Sequence, residues 1–141
     1  MKTTLCAGLS SEFSYRIPED KTVPHVYPES DLFRAMPRVF ATAYMVGLAE
    51  WACMEVMRPH LDPGEQSVGV DVRLSHTAAT PPGLTVTVQV RVEGVEGRRI
   101  RFSVRAHDGV EPIGEGTHER FVIDPARFVA KLNQKATSPA V

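Results

Sequence analysis

The sequence predicts an α+β fold in which an antiparallel sheet wraps around one long buried helix. Residues 38–59 have a helical composition, and apolar side chains surround nearly the whole predicted helix, which is typical of a buried helix. From residue 66 onward the apolar period changes to two, as expected for strands with one buried face. A length of 141 residues fits a single domain.

The elements follow a simple order along the chain. Alternation at 12–17 predicts a first strand, and four prolines then punctuate the segment 18–37. Loops of this length are usually functional, so 18–37 is interpreted as a lid-like loop with one helical turn near its end. Strands are expected between 66 and 123, and Asp-Pro at 124–125 predicts a C-terminal helix over 125–135.

The strand pattern predicts which side chains face the helix. One apolar set shares a parity in the first strand after the helix, namely Val68, Val70, Val72 and Leu74. Two later strands repeat the alternation, and Gly114 and Gly116 in the last strand predict a bulge or a close backbone approach. The economical arrangement is the hot-dog fold, although periodicity alone does not separate it from another α+β sandwich.

Composition excludes several classes of function. The formal net charge is -1, and no basic tract suited to nucleic acid or to a membrane surface occurs. The most apolar stretch, 39–53, is shorter than the roughly 18 residues of a membrane span, and no signal peptide is recognisable. A cytoplasmic protein is therefore expected. Cys6 and Cys53 make neither a disulfide framework nor a metal cluster, and no cofactor motif is present.

Glu50 is the first candidate for chemistry, because it interrupts an otherwise apolar helix. Such a carboxylate must be paired, solvated in a pocket or neutralised. His76 is the second candidate, since its parity continues that of Val72 and Leu74 towards the helix. A carboxylate and a histidine in one cavity are suited to acyl transfer, whereas an ion-paired glutamate and a structural histidine are the plainer interpretations.

Thr42 precedes Glu50 by eight residues, or about 12 Å along a helix, which is too far for a direct hydrogen bond. It can share a site with Glu50 only if His76 lies between them or if the helix begins later. A threonine bonded to the preceding helical turn is the alternative. The spacing of Asp20 and His25 is interpreted as chance, and no partner is suggested for His107 or His118.

Six stretches of the sequence closely resemble the fluoroacetyl-CoA thioesterase family. They are HVYPES (25–30), VFATAYMVGLAEWAC (39–53), SHTAATPPGLTVTV (75–88), VEGRR (95–99), AHDGV (106–110) and GTHER (116–120). The resemblance implies a homodimeric hot-dog enzyme that hydrolyses short acyl-CoA thioesters without a metal or cofactor. It implies catalytic roles for Thr42, Glu50 and His76.

The resemblance also implies substrate-binding residues, namely Gly69, Arg120 and two lid positions. Phe33 keeps the aromatic ring that the family places in its lid, whereas the second lid position is Met36. Methionine shapes a pocket less rigidly than an aromatic ring, so selectivity for fluoroacetyl-CoA is expected to be weaker here. A broader small-acyl-CoA thioesterase and a non-catalytic acyl-CoA binding module are the alternatives.

Overall fold

The computed structural model describes residues 1–140, which form one five-stranded antiparallel sheet and three α-helices. In chain order the elements are β1 (Ser10–Arg16), α1 (Asp31–Arg34), α2 (Thr42–Met57), β2 (Gln66–Leu74), β3 (Thr85–Glu96), β4 (Arg99–His107), β5 (Pro112–Ile123) and α3 (Pro125–Thr137). Short 3-10 turns occupy 19–21, 23–25 and 58–60.

The sheet has the strand order β1-β3-β4-β5-β2, so β1 and β2 are its edges. Its inner face covers α2, and the buried core joins Met45, Leu48 and Cys53 of the helix to alternate residues of β3 and β4. Each of these strands buries one parity, as the period-two pattern predicts. The predicted α+β arrangement of a sheet around a long helix is confirmed.

The central helix differs from the prediction in two respects. It begins at Thr42 rather than near residue 38, because the preceding residues are extended and bonded elsewhere. The Phe40 amide donates to the Thr80 carbonyl, and the Ala41 amide donates to the Lys21 carbonyl. The helix is also not buried all round, since Trp51 is 42% exposed and Met54 is 41% exposed, although the Trp51 ring packs against Phe13 of β1.

A β-bulge in β2 corrects the predicted face of that strand. The register shifts between Gly69 and Asp71, so that Val70 is an extra residue. Val68 pairs with Phe121 on the outer face, whereas Val72 pairs with His118 on the inner face. The expected common face for all four apolar residues is therefore wrong. The bulge places Gly69 on the inner face, towards the helix.

The close backbone approach predicted from the glycines of β5 is confirmed. A Cβ atom on Gly114 would lie 2.0 Å from the Ser75 carbonyl oxygen, and one on Gly116 would lie 1.7 Å from the Arg73 carbonyl oxygen. Only glycine fits at both positions without a backbone shift. This packing fixes the end of β2, immediately before His76.

The C-terminal helix α3 begins where the sequence predicts, with Pro125 in its first turn. The Asp124 side chain accepts a hydrogen bond from the Ala126 amide at 3.0 Å and so caps the helix. None of the side chains of α3 is buried. No helix within residues 1–140 has the length and apolar character required to cross a bilayer.

Candidate active site

Thr42 and His76 form a hydrogen-bonded pair at the start of α2. Thr42 Oγ1 lies 2.7 Å from His76 Nδ1, so the first helical residue meets the segment that follows β2. His76 Nε2 is buried and has no hydrogen-bond partner within residues 1–140. Burial lowers the pKa of His76, and a backbone interaction with Ala78 partly opposes this effect. The imidazole is therefore neutral near pH 7, in the form that can accept a proton.

Glu50 lies in a cleft of 370 Å³ between α2 and the bulged part of β2, lined by Val46, Glu50, Gly69, Val70, Asp71, Val72 and His118. Its side chain is 37% exposed, so the carboxylate is reachable from solvent. Within residues 1–140, hydrogen bonds reach only its Oε2 atom. The other carboxylate oxygen has no hydrogen-bond partner in that part of the chain.

Arg120 lies behind the Glu50 carboxylate on the inner face of β5, where its side chain is 3% exposed. Its Nη1 donates to Glu50 Oε2 at 2.9 Å. Its Nε donates to Ser67 Oγ at 2.8 Å, and its Nη2 donates to the Ser67 carbonyl at 2.9 Å. The buried guanidinium is therefore both charge-paired and hydrogen-bonded, as a buried charge requires.

His118 belongs to this cluster, although the sequence suggested no partner for it. Its Nδ1 lies 2.8 Å from the Asp71 carbonyl oxygen, and its Nε2 lies 3.1 Å from Arg120 Nη1. The missed signal was parity, because positions 118 and 120 of a strand share a face. Burial lowers the pKa of His118, a backbone bond to Asp71 raises it, and the neighbouring Arg120 charge lowers it further.

Gly69 leaves the space that the carboxylate occupies. A Cβ atom there would lie 2.8 Å from Glu50 Oε2, 3.1 Å from His118 Cε1 and 3.5 Å from Arg120 Nη1. The absence of a side chain at Gly69 therefore lets the carboxylate, the imidazole and the guanidinium meet. The bulge that turns Gly69 inward could not be predicted from alternation.

The expected shared cavity of Glu50 and His76 does not form within one chain. His76 is bonded to Thr42 at the start of α2, whereas Glu50 is bonded to Arg120 two helical turns further on. His76 is not among the residues that line the Glu50 cleft. The reason is the rise of the helix, which separates Thr42 from Glu50 by about 12 Å. The structure thus contains two separate clusters of polar side chains.

The two residues predicted to belong to a lid, Phe33 and Met36, lie outside the Glu50 cleft. Phe33 in α1 is half-buried, and its ring centroid lies 5.4 Å from that of Tyr27. Met36 follows α1 and is 48% exposed. Near the cleft, burial raises the pKa of the Cys53 thiol to about 12, so this cysteine is un-ionised and unreactive near neutral pH. No group of three potential metal ligands occurs within residues 1–140.

Comparison with known proteins places this arrangement among thioesterases. A sequence model of the fluoroacetyl-CoA-specific thioesterases matches residues 19–126. The fluoroacetyl-CoA thioesterase of Streptantibioticus cattleyicolor is 53% identical over 135 residues, which cover 96% of this chain and 97% of the relative.

Solved structures agree with the sequence comparison. The fluoroacetyl-CoA thioesterase FlK, as a T42A variant in complex with fluoroacetate, is 53% identical with a TM-score of 0.90, covering 94% of this chain and 98% of that one. A thioesterase superfamily member from Thermus thermophilus is 29% identical with a TM-score of 0.82, covering 92% of both chains. The hot-dog fold and the resemblance found in the sequence are confirmed. The chain belongs to the fluoroacetyl-CoA-specific thioesterase family and is a thioester hydrolase.

Proposed function

We propose that this chain hydrolyses a short acyl-CoA thioester to the free acid and CoA, with fluoroacetyl-CoA as the expected substrate. The observation that carries the proposal is the Glu50 carboxylate, which stands in an open cleft with Oε2 held by buried Arg120. A held oxygen fixes the orientation of the carboxylate, and the second oxygen remains available for chemistry. Because acyl-CoA esters are formed and used inside cells, we also propose a cytoplasmic location for the enzyme.

Two routes use these groups. In the first, a Glu50 oxygen attacks the thioester carbonyl, the C–S bond breaks, and CoA leaves as the thiolate. Neutral His76 then takes a proton from the water that hydrolyses the mixed anhydride, and the resulting imidazolium passes this proton to the CoA thiolate, which completes the release of CoA. In the second, Glu50 or His76 takes a proton from water, which attacks the thioester directly while Thr42 positions it. The Gly69 amide is the proposed donor to the developing oxyanion in both routes.

Rapid-quench kinetics separates the two routes. An acyl-enzyme predicts a burst of CoA that precedes release of the acid, and hydroxylamine should trap the anhydride as a hydroxamate. Direct attack by water predicts that CoA and acid appear together at every time point. Glu50→Gln should lower kcat by orders of magnitude in either route, and combination with His76→Ala should cost far less than the sum of the two effects.

The functional unit that we propose is a homodimer in which each site takes residues from both copies. Three features support it. Within residues 1–140 no strand pairs with the outer edge of β2, which carries the exposed apolar residues Val70 and Val72. Trp51 and Met54 leave an apolar flank of α2 uncovered. The Thr42–His76 pair and the Glu50 cluster are also apart within one chain, so the Thr42–His76 pair of one copy would serve the Glu50 cleft of the other.

Subunit complementation tests the shared site. Thr42→Ala and Glu50→Gln chains, each inactive alone, are unfolded together and refolded as a mixture. If each site uses both copies, half the dimers are mixed and each contains one unmutated site, so about a quarter of wild-type activity returns. If each site lies within one chain, every site carries one mutation and the mixture stays inactive. Light scattering that finds only monomer would contradict the dimer directly.

Release of CoA from fluoroacetyl-CoA and acetyl-CoA, followed by mass spectrometry, tests the activity itself. Hydrolysis of either ester supports the proposal, and comparison of kcat/KM over a panel of acyl-CoA esters identifies the preferred acyl group. Binding of acyl-CoA without release of CoA would indicate the non-catalytic module instead. Preference for larger acyl groups would indicate a broader thioesterase.

A further inference from the structure

We propose that His118 is a positioning residue for the hydrolysis, acting as a neutral imidazole that holds the Arg120 guanidinium against the Glu50 carboxylate. The proposal rests on the proposed function, because it assigns His118 a role in orienting the same carboxylate. Within residues 1–140, the hydrogen bonds of His118 go to Asp71 and Arg120 and not to the Glu50 carboxylate. It acts on Glu50 through Arg120.

The two hydrogen bonds of His118 fix its protonation state. The Asp71 carbonyl, 2.8 Å from Nδ1, can only accept, so the Nδ1 atom must carry a proton. The Arg120 guanidinium, 3.1 Å from Nε2, can only donate, so Nε2 must be unprotonated. The neutral tautomer with its proton on Nδ1 satisfies both partners. A charged imidazole would point its Nε2–H group at the N–H group of Arg120 Nη1, and no hydrogen bond could form.

The surroundings of His118 favour the same state. The ring is 2% exposed, which disfavours a second positive charge beside Arg120. From β4, the residue opposite is the apolar Phe102. From α2 and β2, the ionisable groups near the cluster are Glu50, Cys53 and Asp71. Arg120 is therefore the dominant partner of Nε2, and the ring faces it as an acceptor.

Loss of the acceptor leaves Arg120 under-satisfied on the side that faces Glu50. Nη1 has two N–H groups, which are directed to Glu50 Oε2 and His118 Nε2. Without His118 one of them is buried and unpaired, and although Ser67 still holds Nε and Nη2, the direction of Nη1 towards Glu50 is less firmly fixed. Because Glu50 Oε2 is held only by this Nη1 within residues 1–140, the carboxylate loses its fixed orientation as well.

Two isosteric substitutions separate positioning from structural support. In His118→Gln the amide oxygen takes the place of Nε2 and still accepts from Arg120. In His118→Asn the amide nitrogen takes the place of Nδ1 and still donates to the Asp71 carbonyl, but nothing reaches Arg120. We expect His118→Asn to lower kcat by about tenfold to hundredfold with KM nearly unchanged, and His118→Gln to retain most of the activity. The reverse order would overturn the proposal, since it would show that support of the β2 bulge is what matters.

A double-mutant cycle tests whether His118 acts through Arg120. The combination of His118→Ala with Arg120→Ala should lower kcat little more than Arg120→Ala alone. Effects on kcat that multiply would show that the two residues act independently and would overturn the proposal. His107→Gln, at the exposed end of β4, is the matched control and should leave kcat and KM unchanged.

A spectroscopic measurement tests the network without reference to activity. The protein contains five histidines, and 15N labelling of all five allows the tautomer of each ring to be read from long-range proton–nitrogen correlations. The signal that disappears in His118→Gln should report a neutral ring protonated at Nδ1 at pH 7. A charged ring or a proton on Nε2 would overturn the inference. If the wild type hydrolysed no acyl-CoA, the proposed function would fail while this result still stood.

Discussion

Arg120 donates from Nη1 to Glu50 Oε2 over 2.9 Å, and the arginine side chain is buried while the glutamate side chain remains accessible. Arg120 is therefore the immobile partner of the pair, and Glu50 is the partner that a substrate could reach. The guanidinium donates to both the side chain and the backbone of Ser67 in β2, so its position is fixed by two strands of the sheet. The carboxylate is thereby positioned by β5 although it belongs to the helix.

Arg120→Lys should keep the charge and lose the positioning. The lysine ammonium group lacks the planar arrangement of donors of a guanidinium, so it cannot donate to Ser67, Glu50 and His118 at the same time. We expect kcat to fall by at least about tenfold and the free energy of unfolding to fall by about 1–3 kcal/mol. Steady-state kinetics and urea denaturation measure the two effects. Arg127→Lys on exposed α3 is the control, and an unchanged kcat in Arg120→Lys would remove the fork from the mechanism.

Gly69→Ala should displace the carboxylate and leave the fold intact. The new Cβ would lie 2.8 Å from Glu50 Oε2, which is the end of a flexible side chain and can move. Because a small misplacement of a catalytic group is costly, kcat should fall by about 10²-fold while the melting temperature changes little.

Gly47→Ala is the matched control for that substitution. An ideal Cβ at Gly47 meets nothing within 4 Å, and the position lies inside α2. Alanine should therefore stabilise the helix by about 0.5–1 kcal/mol without changing kcat. Equal kinetic effects of the two substitutions would show that the Gly69 contact with Glu50 has no catalytic importance.

Much of the fold was predictable because alternation along β3 and β4 reports burial directly. The parity of His76 was also predictable, since it depends only on the residues after the bulge. The bulge at Val70 was not predictable, because an inserted residue leaves the apolar pattern of β2 looking regular. The inward position of Gly69 was missed for the same reason.

The polar cluster was predictable only in part. Glu50 stood out because it interrupts an apolar helix, whereas Arg120 and His118 alternate with polar residues and give no such contrast. Their burial depends on pairing across three elements, which local sequence does not encode. The separation of Thr42 from Glu50 followed from helix geometry, but the partner of His76 required the path of the chain after β2.

Buried His118 and half-buried His76 predict an acid-sensitive fold. Burial lowers the pKa values of His76 and His118 below the ordinary histidine value. The unfolded chain therefore binds more protons than the folded chain in the window below about pH 6.5, and stability falls as the pH decreases through it. Above that window both rings are neutral in both states, so they cause no pH dependence.

Melting temperatures between pH 5 and pH 8 measure this effect. We expect a plateau above about pH 7 and a decline below it, and His118→Gln should flatten the decline because it removes one of the two titrating groups. A decline with the same slope in wild type and His118→Gln would contradict the contribution of His118.

Met36 is the residue through which the substrate preference should differ from that of aromatic-lidded relatives. It is exposed after α1 in the loop predicted to form a lid, and its amide donates to the Phe33 carbonyl at 3.1 Å. Fluorine and hydrogen differ little in size, and a contact difference of that kind is worth only about 1–3 kcal/mol. A rigid ring can add a fixed quadrupole and exclude water from the acyl group, whereas a flexible thioether does neither.

Met36→Phe should therefore sharpen the preference for fluoroacetyl-CoA over acetyl-CoA, mainly by slowing acetyl-CoA. The measurement is kcat/KM for both esters in wild type and variant. The ratio of kcat/KM for fluoroacetyl-CoA to that for acetyl-CoA should rise by about tenfold, which is the size of effect expected from a small difference in binding contacts. Leu32→Phe is the matched control, because it adds the same ring at an exposed position of α1 and should leave the ratio unchanged. A ratio that does not change in Met36→Phe would show that the lid does not determine selectivity. Discrimination would then have to arise at the proposed reacting groups, Thr42, His76 and Glu50, through the acidity or the dipole of the acyl group.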